Sequence, residues 1–231
     1  MTDTTRDEQQ ARMGIGLNVY LSRMRGAFAR PWLLPGDTLD VGCGRGIPAK
    51  SYWRWPFALD GVDASPAACE VARKTGLYDT VWCAELDTFS PGKRYQNLVL
   101  AHVLEHLPDP VAFLVSAREW LLPHGRIIAT VPNAYSFHRL LGVAMGLLAH
   151  ATDLDKGDRV IGHRRVLTPF ALRQCVTLAG FRILEQVGYF FKPLPNAQIE
   201  EQCDEEMIDI LTRAGEAVPN HGAEIGIVGE R

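Results

Sequence analysis

The chain has 231 residues, of which 47% are hydrophobic and 22% are charged, and its formal net charge is −3. This length favours one large α/β domain, and the composition disfavours disordered, collagen-like and coiled-coil proteins. The balanced charge disfavours a protein selected mainly to hold nucleic acid. The longest charge-free run, residues 140–152, is shorter than the ~20 residues that a membrane-spanning helix needs.

Five cysteines are scattered along the chain without a Cys-x-x-Cys pair. This pattern disfavours both a disulfide framework and a zinc cluster, and it fits a reducing compartment. The first residues form no apolar signal segment, so we expect a cytoplasmic protein.

Apolar residues recur at helical spacing over about residues 9–30, before prolines end the pattern. Short apolar strands and helices then alternate, which implies parallel pairing and a doubly wound sheet. After the fifth strand we expect an apolar helix, a charged loop, two further helices and two final strands. The predicted strands cover residues 38–42, 57–62, 80–83, 97–101, 125–131, 181–191 and 224–229, and the predicted helices cover residues 65–75, 110–122, 133–150, 168–179 and 199–212.

A glycine-rich loop follows the first predicted strand, in the run Leu39-Asp-Val-Gly-Cys-Gly-Arg-Gly46. Glycines allow the backbone to turn sharply and to approach a ligand closely. Asp63 ends the second strand, where a carboxylate can accept both hydroxyls of an adenosine ribose. The loop and Asp63 together predict an adenosine-containing ligand. The third glycine of the dinucleotide fingerprint is replaced by Ile47, which disfavours an NAD enzyme.

The sequence resembles class I S-adenosylmethionine-dependent methyltransferases, in particular bacterial enzymes that act on small molecules. The glycine loop matches the first motif of that family, and Gly61-Val-Asp-Ala-Ser65 matches the second. His102-Val-Leu-Glu-His-Leu-Pro-Asp-Pro110 matches the segment after the fourth strand. The resemblance covers about residues 37–190. It implies a Rossmann-like, doubly wound seven-stranded sheet with a small helical cap insertion.

The resemblance also implies which residues bind S-adenosylmethionine and its product S-adenosylhomocysteine. Gly42, Gly44 and Gly46 are expected to wrap the methionine part, with Asp40 orienting the loop. Asp63 is expected to hold the ribose and His102 to lie under the methionine moiety. Cys83 stands where the family often has Asp, and a thiol is a weaker acceptor. The residues expected around the adenine are Ala64, Cys83, Ala84 and Glu85.

The substrate site is less sharply defined, because in methyl transfer the cofactor supplies the electrophile and the protein mainly supplies position. His106 and His163 are the candidate general bases for a hydroxyl acceptor. Each is also explained by packing or by a bond to a backbone carbonyl. Asn133, Tyr135, His138 and Arg164 are candidate substrate residues. We expect no metal, since the aspartates at 153, 155 and 158 lack the spacing of a calcium loop.

The favoured interpretation is a single domain over residues 1–231, with an N-terminal helical lid at about 9–30 and a cap at about 133–167. We expect methyl transfer to a small molecule, with oxygen favoured as the acceptor. Nitrogen, carbon or carboxyl methylation and a non-catalytic cofactor-binding protein are the alternatives. Neither a nucleic-acid nor a membrane-spanning role is expected, and a homodimer stays open.

Overall fold

The computed structural model describes residues 17–53 and 56–231. A seven-stranded sheet runs in the order β3-β2-β1-β4-β5-β7-β6. Strand β7 is antiparallel to both of its neighbours, while the pairings among β1 to β5 are parallel. The strands are β1 (Thr38–Val41), β2 (Leu59–Asp63), β3 (Thr80–Cys83), β4 (Tyr95–Ala101), β5 (Leu121–Pro132), β6 (Arg182–Tyr189) and β7 (Glu224–Glu230). The predicted fold class is confirmed.

Nine α-helices accompany these strands in the described part of the chain. They are α1 (Leu17–Ala29), α2 (Ala49–Tyr52), α3 (Pro66–Lys74), α4 (Pro110–Arg118), α5 (Phe137–Ala144), α6 (Lys156–Val160), α7 (Pro169–Leu178), α8 (Asn196–Gln202) and α9 (Glu205–Ala217). None of the described helices is long and apolar enough to cross a bilayer.

The core lies on both faces of the sheet, because alternate residues of a strand point to opposite sides. In β4, Leu98 and Leu100 join the larger core cluster and Val99 joins a separate one. Leu114 of α4 packs in the larger cluster, and Ala49 of α2 packs in the other. The sheet is therefore covered on both faces, as its apolar strands predict.

Helix starts follow the sequence signals closely. The Ser65 hydroxyl accepts from the N–H of Ala68, and the Asp109 carboxylate accepts from two N–H groups at the start of α4. Pro66 and Pro110 occupy the first helical positions, where their missing N–H costs nothing.

Several predicted boundaries are wrong. The helix expected to reach residue 122 ends at Arg118, because residues 121–132 extend β5. The apolar helix expected over 133–150 is only α5, the charged loop contains α6, and the last predicted helix is two helices, α8 and α9. The predicted lid begins at residue 9, outside the described residues, and α1 represents its remainder.

Helix α1 is anchored by a buried ion pair to the last strand. The Arg25 Nε lies 2.9 Å from Glu224 Oε2, and the Tyr189 hydroxyl donates to the same oxygen at 2.8 Å. Burial alone raises the pKa of Glu224, but Arg25 and His102 outweigh it and hold that pKa well below its ordinary value. The carboxylate therefore stays charged.

We expect Glu224→Ala to lower the free energy of unfolding by about 3–5 kcal/mol, because it leaves a buried Arg25 without its partner. Glu230→Ala is the matched control on the same strand, since Glu230 pairs with the exposed Arg182. Urea unfolding of both variants measures the difference. Equal stabilities would show that the Arg25 pair does not anchor α1.

Candidate active site

The glycine loop turns over the carboxyl ends of β1 and β2. The N–H groups of Gly42 and Cys43 both donate to the carbonyl of Val62, at 2.8 and 3.0 Å. Gly42, Gly44 and Gly46 have φ values of +67°, +52° and +76°, which L side chains rarely adopt. A Cβ at Gly42 would lie only 2.7 Å from Val103 Cγ2. The loop after β4 therefore lies directly against the glycine loop.

Asp63 is held beside this loop by two backbone donors. Gly44 N–H donates to Oδ2 at 2.8 Å and Ser65 N–H donates to Oδ1 at 2.9 Å. Each oxygen of a carboxylate can accept more than one hydrogen bond. The Asp63 carboxylate can therefore accept from the two hydroxyls of a ribose in addition to these backbone donors. Ala84 N–H donates to the Asp63 carbonyl at 2.9 Å. The end of β3 is thereby placed beside the predicted ribose site.

The other predicted adenine residues surround the same end of the sheet. Ala64 is partly buried, while Cys83 and Glu85 are exposed. Cys83 pairs in register with Asp63. The structure thus brings together the carboxyl ends of β1, β2 and β3, the edge at which adenosine is expected to lie.

Asp40 lies beneath the glycine loop rather than on its surface. Its Oδ2 accepts from the Tyr78 hydroxyl at 2.7 Å, and only 1% of the residue is exposed. Burial raises its pKa to about 7, although the hydrogen bond from Tyr78 opposes this shift. A Cβ at Gly46 would lie 3.0 Å from the Tyr78 ring. Tyr78 thus connects Asp40 with the glycine loop and supports the role predicted for Asp40.

His102 directly follows β4 and has a φ of +59°. Its Nδ1 lies 3.3 Å from Glu105 Oε1 and its Nε2 lies 3.1 Å from Glu224 Oε2. The imidazole therefore stands between two buried carboxylates, one of which belongs to the anchor of α1. Positive φ in a residue other than glycine is uncommon and occurs where the surrounding structure holds it.

His106 and His163 face each other, with ring centroids 4.8 Å apart. His106 Nδ1 lies 3.2 Å from the Gly162 carbonyl, and His163 Nδ1 lies 2.9 Å from Asp158 Oδ1. Burial holds the pKa of His106 below its ordinary value, despite the charge of Glu105 nearby. A carbonyl only accepts, so His106 carries its proton on Nδ1 and its lone pair on Nε2.

Asp158 fixes His163 from the segment between β5 and α7. It lies 2.9 Å from Arg139 Nη1. Burial alone raises its pKa, but the donors His163, Asp155 N–H and Arg139 hold it at about 2. This segment is bound to the β4 loop, because Arg164 N–H donates to the Glu105 carbonyl at 2.9 Å.

The four candidate substrate residues are placed differently from one another. The Asn133 amide donates to the carbonyls of Asn220 and Gly222 and accepts from Tyr135 N–H, so it joins loops. Tyr135 and the Arg164 side chain are exposed. His138 is partly buried, and its burial, with the charges of Lys192 and Arg139, lowers its pKa to about 3. Contact of these residues with a substrate stays a prediction.

Sequence reasoning missed the residues that position this site. Asp158 contacts the ring of His163 from five residues away in sequence, and Arg139 holds Asp158. Glu224 contacts His102 from the last strand. Only Glu224 carried a local signal, as a charged residue at the start of an apolar strand. Glu105 lies between His102 and His163.

Comparison with known proteins identifies the family. Residues 20–186 match the model of a methyltransferase domain, so the chain belongs to this methyltransferase family. The resemblance to class I S-adenosylmethionine-dependent methyltransferases, and the cofactor that it implied, are confirmed.

Two curated relatives show where the chain lies within this class. A ubiquinone biosynthesis O-methyltransferase of Dinoroseobacter shibae is 29% identical over 163 residues, which cover 68% of this chain and 64% of that protein. The mitochondrial enzyme of the same name from Schizosaccharomyces pombe is 33% identical over 114 residues, which cover 46% of this chain and 42% of that protein. The chain thus matches less than two thirds of the length of these relatives.

Solved structures share the fold. An S-adenosylmethionine-dependent methyltransferase of Thermotoga maritima, described as a possible histamine N-methyltransferase, has a TM-score of 0.65 at 20% identity and covers 96% of this chain and 94% of its own. A plantazolicin methyltransferase with bound S-adenosylhomocysteine has a TM-score of 0.58 at 15% identity, and the match covers 92% of this chain and 82% of that chain. A [4+2]-cyclase has the same TM-score and identity, and the match covers 93% of this chain and 80% of that chain. Fold likeness therefore does not define the reaction.

Asp40 makes the stability of the cofactor-free protein depend on pH. The pKa of Asp40 is 3.8 in the unfolded chain and about 7 in the folded protein. The stability that the folded state gains by keeping Asp40 protonated is therefore complete below pH 3.8 and is lost as pH rises through 7. Between pH 5 and pH 8 we expect the native protein to lose about 2–3 kcal/mol relative to Asp40→Asn. Urea unfolding at both pH values measures this loss. Parallel pH profiles would contradict a raised pKa at Asp40.

Proposed function

We propose that this protein transfers the methyl group of S-adenosylmethionine to an oxygen atom of a small-molecule acceptor. The observation that carries this proposal is the cluster of Glu105, His106 and His163 beside the glycine loop. The O-methyltransferase names of the curated relatives support oxygen as the acceptor.

The cofactor residues are those that line the carboxyl edge of β1, β2 and β3. The glycine loop would hold the methionine part, and Asp63 would accept both ribose hydroxyls. Adenine would lie between Ala64 and Ala84. Because Val103 touches the glycine loop, the sulfonium methyl would face the loop after β4, where the histidines lie.

The reaction breaks the bond between sulfur and the methyl carbon and forms the bond between that carbon and the acceptor oxygen. S-Adenosylmethionine supplies the electrophilic methyl when bound. The protein holds the acceptor in line, which contributes about 7–11 kcal/mol as effective molarity. A hydroxyl must also lose its proton. In His106 and His163, Nδ1 is held by a hydrogen-bond acceptor of the protein, which leaves Nε2 unprotonated in the neutral ring. These Nε2 atoms can take the proton of the hydroxyl.

The cofactor site is tested by titrating S-adenosylhomocysteine into Asp63→Ala and Asp63→Asn by calorimetry. We expect Asp63→Ala to bind about 10-fold to 150-fold more weakly, because the ribose hydroxyls lose a charged acceptor. Glu70→Gln, an exposed change on α3, is the control and should bind normally. Thermal unfolding checks that both Asp63 variants fold. Unchanged affinity in folded variants would remove Asp63 from the site.

The acceptor is tested by S-adenosylhomocysteine formation with phenols, catechols and matched anilines. We expect turnover with hydroxyl acceptors, and His163→Gln should lower it about 10²–10⁴-fold with little change in cofactor affinity. His150→Gln is the control, because His150 is an exposed residue of the same segment. Turnover with anilines only would contradict oxygen methylation.

A further inference from the structure

Glu105 is a fully buried carboxylate with an unusual environment. The residue is 0% exposed, and among the described residues neither of its carboxylate oxygens has a hydrogen-bond partner. In the described part of the chain, the basic groups within 4.0 Å of its oxygens are His102 and His163. An ionised carboxylate buried in this way is costly unless it is paired or binds a metal.

His106 and His163, which form a candidate ligand group with Glu105, are oriented as metal ligands are. Metal-binding histidines almost always donate their second ring N–H to a carboxylate or a backbone carbonyl. His163 Nδ1 meets Asp158 at 2.9 Å and His106 Nδ1 meets the Gly162 carbonyl at 3.2 Å. Both rings are therefore held by Nδ1, which leaves Nε2 to bind a metal. Arg139 in turn fixes Asp158.

The spacing brings these ligands to one point. One ligand atom each from Glu105, His106 and His163 lies within 4.8 Å of the others, and His163 Nε2 is 3.9 Å from Glu105 Oε1. Metal–ligand distances of about 2.0–2.2 Å place ligand atoms roughly 3–3.6 Å apart. Bringing ligand atoms that lie up to 4.8 Å apart to this separation requires shifts of roughly 1–2 Å. Within the ranges that the structure describes, the Glu105 carboxylate oxygens have no hydrogen-bond partner that would hold them in place.

We propose that Glu105, His106 and His163 form a site for a divalent first-row transition metal. Two imidazoles and one carboxylate suit Zn²⁺ or Fe²⁺, whereas Mg²⁺ and Ca²⁺ prefer oxygen ligands alone. Three protein ligands leave coordination positions open. This proposal departs from the sequence-based expectation of a metal-free enzyme.

The role of the metal rests on the proposed function. An acceptor hydroxyl bound at an open position would lose its proton to water, because the metal lowers its pKa. The resulting anion would attack the sulfonium methyl, so that the oxygen–carbon bond forms as the sulfur–carbon bond breaks. The metal would then replace direct proton transfer to the two histidines.

The site is tested by titrating Co²⁺ into tag-free, chelator-treated full-length protein and recording its visible absorption. We expect one Co²⁺ per chain, displaced by Zn²⁺ and not by Mg²⁺. His106→Gln, His163→Gln and Glu105→Gln should each weaken binding by at least about 100-fold, since each removes one of three ligands. Asp158→Asn should weaken it about 10-fold to 100-fold. His150→Gln should bind as the native protein does.

Calorimetry with S-adenosylhomocysteine on the same samples separates the two proposals and confirms that the variants fold. Absence of Co²⁺ binding in a protein that binds S-adenosylhomocysteine would overturn the metal site and leave the proposed function standing. Binding that is equal in His106→Gln, His163→Gln and native protein would also overturn it. Loss of Co²⁺ binding in those variants would support the metal site. If the native protein also turned over no hydroxyl acceptor, oxygen methylation would be contradicted while the metal site stood.

Discussion

The close approach of two loops at one edge of the sheet determines the architecture of the candidate site. Strands β1 and β4 are parallel neighbours, so the loops that follow them leave the sheet side by side. Gly42 has no Cβ, which allows Val103 to lie against the glycine loop. A side chain at Gly42 would push the β4 loop away, and with it His102, Glu105 and His106. The Gly42–Val103 contact thus fixes how close the glycine loop lies to the β4 loop.

Buried charge at this edge is compensated by elements far apart in the chain. Glu224 pairs with Arg25, which is 199 residues away in sequence, and also lies beside His102. Asp158 pairs with Arg139 and His163. Removing one partner of such a pair leaves an uncompensated charge and is strongly destabilising. Glu105 differs from these carboxylates because neither of its oxygens has a hydrogen-bond partner in the part of the chain that the structure describes.

Local signals in the sequence predicted much of the fold. Apolar runs located the strands from β1 to β5, and Ser65 and Asp109 marked the starts of two helices. The glycine loop and Asp63 were recognisable because their chemistry depends on neighbours in sequence. Boundaries failed where tertiary contacts decide, as at Arg118, after which β5 extends to pair with Tyr95.

Long-range partners could not be predicted in the same way. His106 and His163 were recognised as candidates, but nothing near them in sequence indicated that their rings contact each other. Arg139 and Asp158 were missed, because pairing within a folded segment leaves no periodic pattern.

A crystal structure of the full chain with S-adenosylhomocysteine tests the account most directly. We expect both ribose hydroxyls within hydrogen-bond distance of the Asp63 carboxylate and the sulfur facing Glu105, His106 and His163. A nucleoside bound away from Asp63, or a sulfur directed away from this cluster, would contradict it.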